Sequence, residues 1–350
     1  MTQAAFVIPG DISLPTGGYA YDRRVMALLP GNGVEVRHVA LPGSYPAPSA
    51  ADLAETERLI AATGADDVVL IDGLAYGAMP ADVIGRFKRR IVALVHHPLC
   101  LEAGITPERA TELKRLETEA LGLARHVIVT SPTTARTLAQ DFAVPAGRIT
   151  VAEPGTEPAA RAKGSDGKPF RLLAVGSIVP RKGYDLLVDA LFPMRSLPWR
   201  LDIAGALDRS PETVAALRAQ IARLGFQDRI TLHGAVEDAT LAGLYDAADV
   251  FVLASHYEGY GMVLTEALAR GLCIVCTTGG AAAETLPDDA ALKVETSSPR
   301  ALAWTIGRAL ESDGELRRRT SEAAWAAAGL LPRWEVTART IAKVIHEVAR

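Results

Sequence analysis

Two carboxylates, Glu258 and Glu266, stand eight positions apart in the run S-H-Y-E-G-Y-G-M-V-L-T-E-A-L-A-R-G at 255–271. Gly259 and Gly261 lie between them, and a helical pattern opening at Met262 and Val263 carries the second. The preceding D-V-F-V-L-A at 249–254 reads as a buried parallel strand. The unit is therefore strand, glycine loop, helix. Such a loop turns backbone N–H groups toward an anion. Carboxylates repel an anion, so their use lies in accepting hydrogen bonds from neutral hydroxyls. An anion site beside hydroxyl acceptors points to a nucleotide sugar. A straight helix would hold positions eight apart about 12 Å from one another. The glycines let the loop fold so that both carboxylates reach one ligand. Two exposed surface glutamates are the bland alternative.

The rest of the chain must position this unit. Its 350 residues suit two domains, and 49% hydrophobic residues supply large cores. A net charge of −4 gives no general attraction for nucleic acid. No run approaches the roughly 18 apolar residues that span a bilayer. The opening residues lack a basic leader region and read as a strand, so a cytoplasmic protein is expected. Short apolar runs at 5–8, 34–40, 68–72, 91–96, 127–130 and 149–152 alternate with helical patterns at 49–62, 107–124 and 132–141. Thr106 is placed to cap the second of these helices, with Pro107 at its first position and Glu108 and Glu112 near its start.

The polar, Gly/Pro-rich stretch at 158–169 reads as a linker. Strands then recur at 170–175, 200–204, 229–232, 250–254 and 272–276, with helices at 182–190, 211–224 and 238–246. The expectation is an α/β protein of two doubly wound, Rossmann-like domains, 1–157 and 170–332, followed by a helix at 333–350. Two such domains face a central cleft at the C-terminal strand edges, where open α/β sheets bind ligands. Of three cysteines, Cys273 and Cys276 show C-x-x-C spacing inside an apolar strand. Residues three apart on a strand point to opposite faces, so core packing is expected in preference to redox or metal chemistry.

These residues resemble the retaining glycosyltransferase family 4, which has the GT-B fold. The resemblance covers nearly the whole chain and is strongest over 172–284. The E-x7-E run is similar to the family's donor signature. V-G-S-I-V-P-R-K-G at 175–183 resembles the loop after the first strand of the second domain, and H-G-A-V at 233–236 the segment against the base. T-T-G-G-A-A-A-E at 277–284 resembles the loop beyond the donor helix, and P-T-G-G-Y at 15–19 the glycine loop of the first domain.

The resemblance implies a role for each position. Glu266 would hold the ribose hydroxyls, and Glu258 the 3- and 4-hydroxyls of the transferred sugar. Gly259, Gly261, Met262 and Val263 would line the donor, with Val236 near the base. Lys182 would meet the diphosphate, and Arg181 would help or replace an arginine that many relatives carry where this chain has Ser177. Gly17 and Gly18, with φ open to positive values, would let backbone approach the phosphates. Of the pair His96–His97 at a strand edge, His97 is favoured as the residue near the sugar 6-hydroxyl and the acceptor. Asp72 and Glu102 lie at comparable edges. The last helix would cross back to brace the first domain.

The implied reaction is front-face transfer of a hexose-type sugar, with retention, from a nucleotide diphosphate donor to an unidentified hydroxyl acceptor. A UDP-sugar is favoured and a GDP-sugar is the alternative. The acceptor classes are glycolipid, polysaccharide and small molecule. No D-x-D string occurs, which suits a metal-independent mode with no cofactor. A nucleotide-sugar epimerase or a non-catalytic binding homologue on the same scaffold is the competing reading. A dehydrogenase would need G-x-G-x-x-G after a strand, which neither half contains. A basic cluster of Arg86, Lys88, Arg89 and Arg90 is either a solvated helix end or a peripheral contact with the inner membrane face.

Overall fold

The computed structural model describes residues 1–165, 169–296, 298–311 and 314–350. Two compact units divide them: Met1–Gly155 with Pro332–Arg350, and Thr156–Leu331. Each is a parallel sheet of six strands with helices on both faces, as the alternation predicts.

The first unit contains β1 (Thr2–Pro9), β2 (Val34–Leu41), β3 (Val68–Asp72), β4 (Arg90–Val95), β5 (His126–Val129) and β6 (Ile149–Val151) in the order β2-β1-β3-β4-β5-β6. Its inner strands have apolar centres because helices cover both faces; every residue of β3 is buried. Strand order reverses between β1 and β3, which opens a crevice where their C-terminal ends part. The helix Pro107–Leu123 begins as expected. Thr106 Oγ1 accepts the Arg109 N–H, and Pro107 sits where no N–H is needed.

The final helix, Trp334–Ala349, belongs to this unit. Its buried face includes Ile341, Val344 and Ile345. Trp334 meets the Tyr21 ring edge-on at 5.6 Å, and Thr337 donates to the Glu153 carbonyl. Gly155 admits Trp334; a Cβ there would fall 2.2 Å from its backbone nitrogen. Val336 lies off this face and is 44% exposed.

The second unit contains β7 (Phe170–Val175), β8 (Trp199–Ala204), β9 (Ile230–Gly234), β10 (Val250–Leu253), β11 (Cys273–Thr277) and β12 (Leu292–Val294), ordered β12-β11-β10-β7-β8-β9. Here the reversal falls between β7 and β10. The strand β12 is absent from the sequence reading: three residues at a sheet edge carry too little alternation to stand out. Cys273 and Cys276 are both buried in β11 but join hydrophobic clusters on opposite faces of the sheet, and burial pushes both thiols up to about 12. They are core residues.

The stretch read as a linker is partly bound to the second unit. Ala162 N–H donates to the Arg270 carbonyl, Lys163 N–H to Asp246, and Ser165 N–H to the Asp249 carboxylate. Residues 166–168 lie outside those described.

Candidate active site

At the second unit's reversal point, the loop after β7 meets the loop after β10. Gly176, Ser177 and the turn Pro180–Lys182 form the first, and residues 254–261 the second. Glycines let the strands and loops approach this closely. Gly183 has φ +61, and a Cβ on it would stand 2.2 Å from the Ala254 carbonyl oxygen. The His256 N–H then donates to the Arg181 carbonyl, tying the loops together.

Glu258 lies at the centre of this arrangement and is buried. Its Oε1 accepts from Lys182 Nζ at 2.7 Å, and its Oε2 lies 3.4 Å from Arg181 Nη1. Arg181 Nη1 also donates to the Tyr257 carbonyl. Burial pushes the Glu258 carboxyl up, but the charges of Lys182 and Arg181 and the hydrogen bond from Lys182 outweigh it and bring it to about 2. The carboxylate is therefore ionised at neutral pH and a weak base. It suits hydroxyl recognition, not proton abstraction. The sequence reading set both cations on the diphosphate. The fold pairs both with Glu258.

Residues from a third loop hold Glu258 from behind. Its N–H donates to the Gly279 carbonyl, and its own carbonyl accepts from Ala281 N–H. Gly280 has φ +63, and a Cβ there would lie 2.3 Å from the Glu258 carbonyl oxygen. The glycine pair in T-T-G-G is thus a clamp on the loop that carries Glu258, a contact its sequence alone does not show.

Glu266 sits in the helix Met262–Leu268, which Gly261 opens at φ +93, with Met262 and Val263 half-buried in its first turn. Tyr245 donates to Glu266 Oε2 at 3.0 Å, and Arg270 lies 4.3 Å above the Tyr245 ring. Burial raises the Glu266 carboxyl, with Tyr245 opposing. The two glutamates of the motif therefore meet opposite fields. Tyr245 was not anticipated, because nothing in its sequence context marks it. Val236 is half-buried in the turn after β9, where His233 Nε2 and Asp202 Oδ1 lie 2.7 Å apart.

In the first unit, Gly17 and Gly18 open the helix Gly17–Leu28 behind Thr16, whose hydroxyl accepts from Tyr19 N–H. Neither has positive φ, contrary to the expectation; as first residues of a helix they take helical angles. They supply space instead. A Cβ on Gly17 would meet nothing within 4 Å, and one on Gly18 would lie 3.3 Å from the His96 ring. The histidine against the glycine pair is therefore His96, whereas His97 turns to Glu102 at 3.2 Å. The pleat sends the two neighbours to different sides.

His96 Nε2 lies 3.3 Å from Asp22 Oδ1 and 3.4 Å from Asp72 Oδ2. Asp22 is raised by burial, with His96 opposing; burial pulls His96 down, but the two aspartates outweigh it and raise it. The basic cluster is largely engaged within the unit. Arg86 pairs with Glu57 and Asp82, Arg89 donates to Thr63, and Arg90 to the Asp66 carbonyl. Among the described residues no helix is long and apolar enough to cross a membrane.

Two open α/β sheets, each carrying a loop cluster at its reversal point, define the GT-B type of protein. Residues 8–155 match the glycosyl transferase 4-like domain, and residues 156–326 match glycosyl transferases group 1. The chain belongs to this group of family 4-type glycosyltransferases. The boundary between the two matches falls where the two units divide.

Mannosylfructose-phosphate synthase of Agrobacterium fabrum is 33% identical over 173 residues, 44% of this chain and 38% of the relative. The matched part spans between 35% and 44% of the length of the first curated relatives. Among solved structures, sucrose-phosphate synthase from Thermosynechococcus elongatus has a TM-score of 0.81 at 21% identity, covering 98% of each chain. Anabaena HepE in complex with UDP and glucose has a TM-score of 0.78 at 18% identity, covering 98% of this chain and 100% of that one.

Proposed function

We propose that this chain transfers a hexose-type sugar from a nucleotide diphosphate donor to an acceptor hydroxyl, with retention and without a metal on the diphosphate. The observation that carries this reading is Glu258, buried and held ionised between Lys182 and Arg181 at the second sheet's reversal point. Glu258 accepts hydrogen bonds from the sugar hydroxyls, and Glu266 those of the ribose. Lys182 and Arg181 bridge from Glu258 to the phosphates and stabilise the negative charge that grows on the leaving group. The leaving phosphate oxygen takes the acceptor's proton, so no protein nucleophile is required. A UDP-sugar is the favoured donor, supported by the complex of HepE with UDP and glucose. A GDP-sugar is the alternative, and the acceptor is a glycolipid, polysaccharide or small molecule.

The low basicity of Glu258 argues against an epimerase, which needs an acid–base group at the sugar. In the first unit, His96 is the histidine that meets the glycine loop, and we assign to it the acceptor-side role expected of His97.

Thermal stability is the first measurement, with UDP, GDP, ADP, TDP and NAD added separately. A diphosphate at 100 times its Kd adds about 2.7 kcal/mol of stability. One nucleoside diphosphate should raise Tm, and Glu266→Ala should abolish the shift. No shift with any nucleotide, or a shift with NAD alone, overturns the reading.

A further inference from the structure

A second constellation of ionisable groups lies outside the donor machinery. Asp22 comes from the helix Gly17–Leu28, Asp72 from the end of β3, and His96 from the residue after β4. One ligand atom from each lies within 4.8 Å of the other two. Asp22 is 0% exposed, and among the described residues neither of its carboxylate oxygens forms a hydrogen bond, nor does His96 Nε2. Buried carboxylate oxygens without hydrogen bonds are costly and call for a partner. His96 cannot satisfy both aspartates through one nitrogen. Asp72 Oδ1 accepts from the Leu74 N–H, which pins that carboxylate with Oδ2 toward His96.

Charge and geometry agree on what is missing. Two carboxylates and one imidazolium leave a net negative charge in the interior; two carboxylates, a neutral imidazole and a divalent cation leave none. Metal–ligand bonds of about 2.0–2.1 Å in a tetrahedral site separate the donor atoms by roughly 3.3–3.4 Å. The observed separations from Nε2 are 3.3 and 3.4 Å. Room exists beside the donor nitrogen because residue 18 is glycine: a Cβ there would stand 3.4 Å from Nε2. An imidazole with two carboxylates favours a zinc-like transition ion over calcium or magnesium.

We propose that Asp22, Asp72 and His96 are three ligands of a divalent transition-metal site in the first unit. The site shares His96 with the acceptor-side role proposed above but uses none of Glu258, Glu266, Lys182 or Arg181, so its metal readout is independent of donor binding. The imidazole is 22% exposed and lies against Gly18.

The test uses the full chain, stripped with a chelator and titrated with Co2+. A tetrahedral site gives a visible d–d absorption band that saturates at one equivalent and is displaced by one equivalent of Zn2+. Elemental analysis should find one zinc per chain after gel filtration. Asp22→Asn and Asp72→Asn should each lose the band. Asp72→Asn keeps its oxygen on the Leu74 N–H, so it decides the matter if Asp22→Asn does not fold, with far-UV circular dichroism as the folding check. Absence of both band and retained zinc in the wild type overturns the proposal. So does wild-type metal binding by a folded Asp72→Asn chain.

Discussion

Both sheets place a buried carboxylate where their strand order reverses, yet the two units treat that charge differently. In the second unit Glu258 is matched by Lys182 and Arg181 and lies far below its ordinary range. In the first unit Asp22 shares one imidazole with Asp72, and its oxygens form no hydrogen bond. Glu117, also buried there, accepts from the Leu99 N–H through one oxygen while the other forms no hydrogen bond. Burial raises it to about 8. Glu258 has its charge balanced by neighbouring cations, whereas Asp22 and Glu117 are raised by burial. Burial alone therefore says little about a carboxylate's chemistry, and its partners decide the sign.

The largest expected effect comes from removing a matching cation. Lys182→Ala should cost about 3–5 kcal/mol of stability, since it strands a buried charge. Donor turnover should fall about a hundredfold or more. Urea unfolding and rates of donor consumption measure the two losses, and an unaffected variant would show that Arg181 suffices.

The next effect separates the units by pH. The raised Glu117 stabilises the fold fully below the unfolded value of 4.5, and that contribution is lost as pH rises through about 8. Glu258 has the opposite sign: its contribution is present above 4.5 and lost as pH falls through about 2. Glu117→Gln should flatten the alkaline loss by a few kcal/mol, since each pH unit between the unfolded and folded titrations is worth roughly 1.4 kcal/mol. Denaturant midpoints from pH 5 to 9 provide the check; parallel curves for the variant and the wild type would remove Glu117 from the comparison.

The two glycine pairs give a smaller contrast. Gly280→Ala, forced against the Glu258 carbonyl at φ +63, should cost about 2–3 kcal/mol. Gly17→Ala, in a helix with open space, should gain up to about 1 kcal/mol of stability. Calorimetry of both variants tests this. Tyr245→Phe is the mildest loss. It removes one hydrogen bond to Glu266, worth about 1 kcal/mol, and should raise the donor KM severalfold with little change in kcat.

Much of this architecture is legible in the residues. The helix Pro132–Asp141 and the strand Val68–Asp72 occur at the expected bounds, because caps and continuous apolar runs are local signals. Local spacing also brought Glu258 and Glu266 to notice, and the family resemblance brought Lys182. The edge strand Leu292–Val294, the Gly279–Gly280 clamp and the Tyr245 hydrogen bond were not legible, since each depends on what another segment brings alongside. The pleat predicted that His96 and His97 diverge but could not say which meets Gly18.

By itself, the sequence determined the alternation of strand and helix, the division into two sheets and the family, all carried by periodicity and short motifs. The tertiary structure alone decided strand order, and with it where each sheet opens a crevice. It also decided that Lys182 and Arg181 close on Glu258 from 76 and 77 residues away, while Asp22 and Asp72 converge on His96. Strand order is set by packing between distant segments, and the field at a carboxylate is a sum over neighbours that the linear chain does not name.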